Sequence, residues 1–316
     1  MRPVRNVVII LPVAKSSLDA EFVITFDQAY GYLIANMDKL PYDVHILKWY
    51  ERTFPIDANR EICAQYMVEG FPLKFDRNNK PVDYFRADIS LWVDTDHTIP
   101  RDAFLRLIQH NRPIMLGVYY IKVGEKEKPF YPVIFKRRVD KETDGLYSAV
   151  MEYPRDELFE VDFAGMGAAC IHRKVFEKLD PPFFQYQLHP KGSSDYRSEW
   201  KNSHGIRDVS EDRYFWDKVK DNTNYPILVD PHVQFGHRGI FTYDYHMYFA
   251  WLEAYKERMR KEHTEREFDA IWKKMAIAKP YKEVKIYGLN GKETEKRGNQ
   301  RRKNGKTTRR TTAARP

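Results

Sequence analysis

The stretch ISLWVDTDHTIP, residues 89–100, runs a short apolar segment into two aspartates one residue apart, followed by a histidine and a proline. Ile89-Ser90-Leu91-Trp92-Val93 reads as a buried strand, because it is short, continuous and ends in turn residues. Asp94 then emerges as the sheet ends, and Asp96 points into the same loop. Two readings compete for this pair. Hard carboxylate oxygens at a strand end suit Mg²⁺ or Mn²⁺. Alternatively, Asp96 or Thr98 caps a helix that begins near Pro100, with the proline in its first turn.

The same periodicity extends on both sides. Apolar runs predict strands at 6–11, 43–48, 113–120, 163–171 and 225–229, and helical spacing predicts helices at 25–39, 58–69, 101–110, 172–179 and 211–220. Alternating strands and helices predict an α/β fold with a mostly parallel sheet flanked by helices. Ligands of such open sheets gather at the carboxyl ends of the strands, where Asp94 and Asp96 fall. Residues 130–161 read as hairpins or loops. Together with 184–208 they frame an acceptor region, in which Tyr186, Trp200 and His204 are candidate contacts. From Tyr243 to about Lys274 the chain reads as helix, with Phe249, Leu252, Tyr255 and Met259 on one packing face.

Composition limits the class. The 316 residues are 42% hydrophobic and 15% aromatic, enough for a substantial core. No apolar run approaches the ~18 residues of a membrane span, and Met1 to Asn6 lack the pattern of a signal peptide. A soluble, cytoplasmic protein is expected. Cys63 and Cys170 have no metal-type spacing and read as buried free thiols. The net charge of +8 belongs to the tail, since residues 292–316 hold ten Lys or Arg against Glu293 and Glu295, leaving 43 basic and 43 acidic residues elsewhere. Beyond Tyr287 the chain has almost no apolar residues and is expected to be disordered. Such a tail attracts nucleic-acid phosphates without reading sequence, which keeps a nucleic-acid-binding protein as a competing reading.

Two further segments carry candidate chemistry. Ser210-Glu211-Asp212 places a capping serine and two carboxylates at a helix start, a stable arrangement with or without a function. His237, between Gly236 and Gly239 after an apolar stretch, is a candidate imidazole ligand. The chain has no Walker A sequence, no Gly-x-Gly-x-x-Gly and no Gly-x-Ser-x-Gly, which removes support for kinase-like, dinucleotide-binding and esterase readings.

In order, these pieces are a strand ending in Asp-x-Asp, the glycine-bearing run Val161 to Ile171, Glu-Asp opening a helix, and a histidine after a later strand. From about residue 6 to 240 this order resembles the nucleotide-sugar glycosyltransferases of the GT-A fold, a Rossmann-like α/β architecture, particularly soluble family-2-like members. The resemblance implies a catalytic domain over 1–240, to which the helical periodicity and the composition add a helical extension over 241–287 and a disordered basic tail over 288–316. It implies Mn²⁺ or Mg²⁺ held by Asp94, Asp96 and His237, with Asp94 also touching the nucleotide. Pro12, Val13, Ala14 and Arg60 would face the nucleotide, and Gly165, Met166 and Gly167, with Trp200, would line the sugar and acceptor pocket. Asp212, with Glu211 second, would be the base of an inverting enzyme; in a retaining one Asp212 would orient the sugar or acceptor. The partners implied are a nucleotide-sugar donor and a hydroxyl acceptor, either modified DNA or a glycan. A sugar-1-phosphate nucleotidyltransferase is the alternative enzyme, but that class wants a glycine-rich loop where this chain has LPVAKSS (11–17).

Overall fold

The computed structural model describes residues 2–13, 18–122, 130–137, 147–189, 207–238, 242–272, 276–279 and 281. The chain divides into one unit through Tyr281 and a second from Lys282 to Pro316, which lies outside the described residues together with the whole basic tail.

A seven-stranded sheet forms the centre of the first unit. In chain order its strands are β1 (Val4–Pro12), β2 (Asp43–Glu51), β3 (Ile89–Val93), β4 (Ile114–Val118), β5 (Phe159–Val161), β6 (Ala168–His172) and β7 (Ile227–Gln234), lying side by side as β5-β7-β4-β6-β3-β1-β2. β2, β1, β3, β4 and β7 run parallel, while β6 is inserted antiparallel between β3 and β4, and β5 closes the edge antiparallel to β7. The expected mixed architecture, a mostly parallel sheet covered by helices, is the one found.

Both faces of the sheet are buried, and alternation along β1 shows why. Val7, Ile9 and Leu11 pack with Phe22, Phe26, Phe104 and Ile108 of helices α1 (Ala20–Ala35) and α3 (Ala103–Gln109). Val8 and Ile10 point the other way, into a core with Cys63 and Met67 of α2 (Ile56–Glu69), Phe176 of α4 (Arg173–Phe176) and Phe215 of α5 (Glu211–Asn222). Tyr248 and Leu252 of α6 (Tyr245–Glu262) join this second core, and α7 (Glu265–Trp272) follows after a Thr264–Glu267 capping box. Both cysteines are buried free thiols. Among the described residues no helix is long and apolar enough to cross a membrane.

Several boundaries differ from the sequence expectation for identifiable reasons. Helix α1 starts at Ala20 rather than 25 because the Asp19 carboxylate accepts the Glu21 amide at 2.9 Å, capping the end. The strand expected over 163–171 is interrupted at Gly165–Gly167: Phe163–Ala164 joins a separate small sheet with Ile134–Arg137 and Tyr147–Glu152, and β6 begins only at Ala168. The long helix expected over 243–274 is two helices. A hairpin at Phe71–Phe75 and Pro81–Phe85 was not expected, since most of its residues are exposed and no alternation marks it. The helix near Pro100 is α3, with Asp102 at its N-cap, so neither Asp96 nor Thr98 is spent on capping it.

Candidate active site

Because β6 runs against its neighbours, its first residue lies beside the last residues of the parallel strands: Ala168 pairs with Val93 at the end of β3. The Gly165–Gly167 turn therefore sits at the carboxyl edge of the sheet, directly against Asp94 and Tyr119. A Cβ on Gly167 would collide with the His97 ring and the Asp94 carboxylate, and one on Gly165 with the Tyr119 hydroxyl. Glycine is required at both positions by close approach.

After Asp96 the chain makes a two-residue strand, His97–Thr98, that pairs antiparallel with Gly236–Arg238 just beyond β7. His97 stands directly opposite His237 in that register, and the ring centroids are 5.2 Å apart. The Arg238 amide also donates to the Asp96 carbonyl at 2.8 Å, fixing the loop. Asp96, His97 and His237 consequently present ligand-type atoms that all lie within 4.8 Å of one another.

The imidazoles are prepared for such a role. His97 is fully buried, and its Nδ1 lies 3.0 Å from the Gly167 carbonyl; since a carbonyl only accepts, Nδ1 carries the proton and Nε2 presents its lone pair. That Nε2 and the Nδ1 of His237 are buried without a hydrogen-bond partner. Burial lowers the His97 pKa and so favours the neutral ring, the form that binds metals. Burial acts to raise Asp96, but its hydrogen bond with His237 and the two histidine charges outweigh it, lowering the carboxyl to about 2. Two imidazoles and a carboxylate are a donor set for a divalent transition metal, so the residues fit the cation implied by the sequence.

Asp94 is engaged differently. Arg60, from the first turns of α2 and 4% exposed, donates from Nη2 to both Asp94 oxygens at 2.9 and 3.1 Å. Its Nη1 donates to Glu211 at 2.8 Å and also to Asp212. Ser210 caps α5 by accepting the Arg213 amide, so the first turn of that helix delivers Glu211 and Asp212 to the guanidinium. The other Asp212 oxygen accepts the Met166 amide at 3.2 Å. Burial raises the Asp212 pKa to about 7; Arg60 opposes the rise, and the Glu211 and Asp94 charges add to it.

Several of the residues singled out from sequence thus converge on one edge. Asp96 and His237 meet in one cluster, while Asp94, Glu211 and Asp212 meet around Arg60. Gly165, Met166 and Gly167 lie between them. Pro12 ends β1 and Val13 is buried beside it, its amide donating to Glu51. Arg60, expected to face a nucleotide, has its terminal nitrogens engaged by carboxylates. Tyr186 is exposed, with its amide 3.4 Å from an Asp57 oxygen. Ala14, Trp200 and His204 lie outside the described residues.

Two residues of the site were not selected from sequence. His97 adjoins Asp96, but its place opposite His237 depends on a pairing across 140 positions, which no local pattern marks. Tyr119 falls within the strand expected over 113–120 but lies just beyond the end of β4. Its ring centroid is 4.4 Å from that of His97, and its buried phenol is raised by desolvation and by the charges of Asp212 and Asp94. The usable signal for Tyr119 was its position at the same sheet edge as Asp94.

No family model matches this sequence, and no curated protein sequence does. Among solved structures, similarity is found to A197 from STIV, with 16% identity over 74% of this chain and 86% of that one, at a TM-score of 0.39. GalNAc-T7, solved with UDP, GalNAc and Mn²⁺, is 12% identical over 74% of this chain and 44% of that one, at a TM-score of 0.40. TarS 1-349 from S. aureus is 12% identical over 72% of this chain and 58% of that one, at a TM-score of 0.25. This chain thus spans less than two thirds of the latter two.

Proposed function

We propose that this chain is a divalent-metal-dependent glycosyltransferase that moves a sugar from a nucleotide-sugar donor to a hydroxyl acceptor. The observation that carries the reading is the meeting, at the carboxyl edge of a mostly parallel sheet, of a metal-type trio centred on the buried His97 with a carboxylate whose pKa is raised into the neutral range. Binding at that edge is the general behaviour of open α/β sheets, and the Asp-x-Asp placement at the end of β3 agrees with the GT-A resemblance of the sequence.

Asp96, His97 and His237 would hold the cation. Of the two ions implied by the resemblance, the paired imidazoles favour Mn²⁺, since Mg²⁺ prefers oxygen ligands alone. When bound, the cation supplies Lewis-acid stabilisation of a leaving diphosphate. The chain's own part is proton handling and orientation. Asp212 takes the proton of the acceptor hydroxyl as the acceptor oxygen bonds to the anomeric carbon and the bond from that carbon to the diphosphate oxygen breaks, its electron pair leaving with the diphosphate. A base held near neutral pKa suits this role, typically worth ~10²- to 10⁴-fold. The Met166 amide and Arg60 fix the direction in which the base points.

The test is a thermal-shift screen of the full chain against UDP- and GDP-sugars, with and without Mn²⁺. Stabilisation that needs both ligands and disappears in Asp96→Ala is expected, because a ligand stabilises only through what it binds in the native state. Stabilisation that persists unchanged in Asp96→Ala would remove the metal assignment.

A further inference from the structure

Three carboxylates beside the metal-type trio share the guanidinium of Arg60. Both oxygens of Asp94 are taken up by Nη2, and Nη1 bridges Glu211 and Asp212. Asp94 nevertheless abuts the trio: it is two residues from Asp96, and Gly167 packs against both the Asp94 carboxylate and the His97 ring. A freed Asp94 carboxylate would be a ready hard-oxygen ligand, and a cation that captured it would be drawn toward Glu211 and Asp212 as well. A base that becomes a ligand no longer accepts a proton.

We propose that Arg60 is a positioning residue that partitions the edge of the sheet, withholding Asp94 from the cation and holding Glu211 and Asp212 together on the base side. The proposal rests on the metal-dependent reading above. It revises the ligand set implied by the sequence resemblance from Asp94, Asp96 and His237 to Asp96, His97 and His237. The fork geometry matters. A guanidinium grips a carboxylate through two parallel hydrogen bonds while its other nitrogen holds further partners, whereas an ammonium is a point charge on a flexible stem.

Mn²⁺ binding followed by electron paramagnetic resonance tests this on the full chain in four forms: wild type, Asp94→Asn, Asp96→Asn and Arg60→Lys, each checked for folding by circular dichroism. Asp94→Asn is close in shape to the original and keeps a hydrogen-bond acceptor for Arg60, which makes it the variant most certain to fold. The expected results are Mn²⁺ affinity within about threefold of wild type for Asp94→Asn, a fall of roughly 100-fold for Asp96→Asn, and a rise of about tenfold for Arg60→Lys as Asp94 is released. A purely structural role for Arg60 would not raise affinity. Loss of affinity in Asp94→Asn as large as in Asp96→Asn would make Asp94 a ligand and overturn the partition, as would unchanged affinity in Arg60→Lys. A wild-type chain that binds no Mn²⁺ would instead overturn the metal reading and the partition with it, so the two failures are distinguishable.

Discussion

Among the described residues, two charged clusters follow opposite charge logic. On β7, Asp230 is 1% exposed and accepts from Arg106 Nε and Nη2 at 3.2 and 3.0 Å, from His110 at 2.8 Å and from the His232 amide at 2.9 Å. One carboxylate there is surrounded by donors. At the carboxyl edge the ratio is reversed, with three carboxylates around Arg60 and two buried imidazole nitrogens left unpartnered nearby. A cluster that only stabilises a fold can satisfy every member. One that holds a raised carboxyl and open lone pairs bears a cost that is recovered when a ligand arrives.

The contrast can be broken most forcefully at Asp212. Asp212→Asn should lower glycosyl transfer by ~10²- to 10⁴-fold without lowering the melting temperature, because it removes a disfavoured charge while keeping the shape. A loss of stability with transfer intact would make the Arg60 cluster another structural network. Asp230→Ala should do the opposite, costing about 1–3 kcal/mol in urea unfolding by removing a buried carboxylate and its hydrogen bonds to Arg106, His110 and the His232 amide, while leaving Mn²⁺ affinity unchanged. Gly167→Ala lies between the two. Its Cβ collides with His97 and Asp94, so it should cost roughly 1–3 kcal/mol and also weaken Mn²⁺ binding; wild-type behaviour in both would contradict the close approach.

The smallest effect is the sign of the pH dependence. The Asp230 carboxyl is held below its usual range in the folded chain, its burial outweighed by His110 and the His232 amide. Its stabilisation is therefore present above the unfolded value near ~3.9 and lost as pH falls through the folded one. Asp212 is raised to about 7, so the folded state keeps a proton that the unfolded chain has lost. Its stabilisation is full below about pH 4 and declines as pH rises toward 7. Melting temperatures between pH 2 and 8 should show Asp212→Asn flattening the upper decline and Asp230→Asn flattening the acid loss. Identical profiles for the two variants would erase the distinction.

Much of this was legible in the sequence where a signal was local. The run Ile89–Val93 and its aspartates gave the strand end, the Ser210 cap gave the start of α5, and the continuous apolar run Val7 to Leu11 gave the strand β1. What escaped depended on distant pairing. The antiparallel insertion of β6 decides that Gly167 meets His97, and the register of His97 with His237 decides the trio; neither leaves a local pattern. The Arg60 network was invisible for the same reason, joining residues 151 and 152 positions apart. The hairpin over 71–85 failed differently, since exposed strands carry no hydrophobic period.

The central claim is that a cation binds through two imidazoles and Asp96 beside a carboxylate base. Pulsed electron paramagnetic resonance of the full chain loaded with Mn²⁺ tests it most directly, because imidazole nitrogens bonded to the ion modulate the spin echo. Coupling from two nitrogens is expected, with one lost in His97→Gln and the other in His237→Gln. A Mn²⁺ signal without nitrogen coupling, or coupling unchanged in both variants, would contradict it.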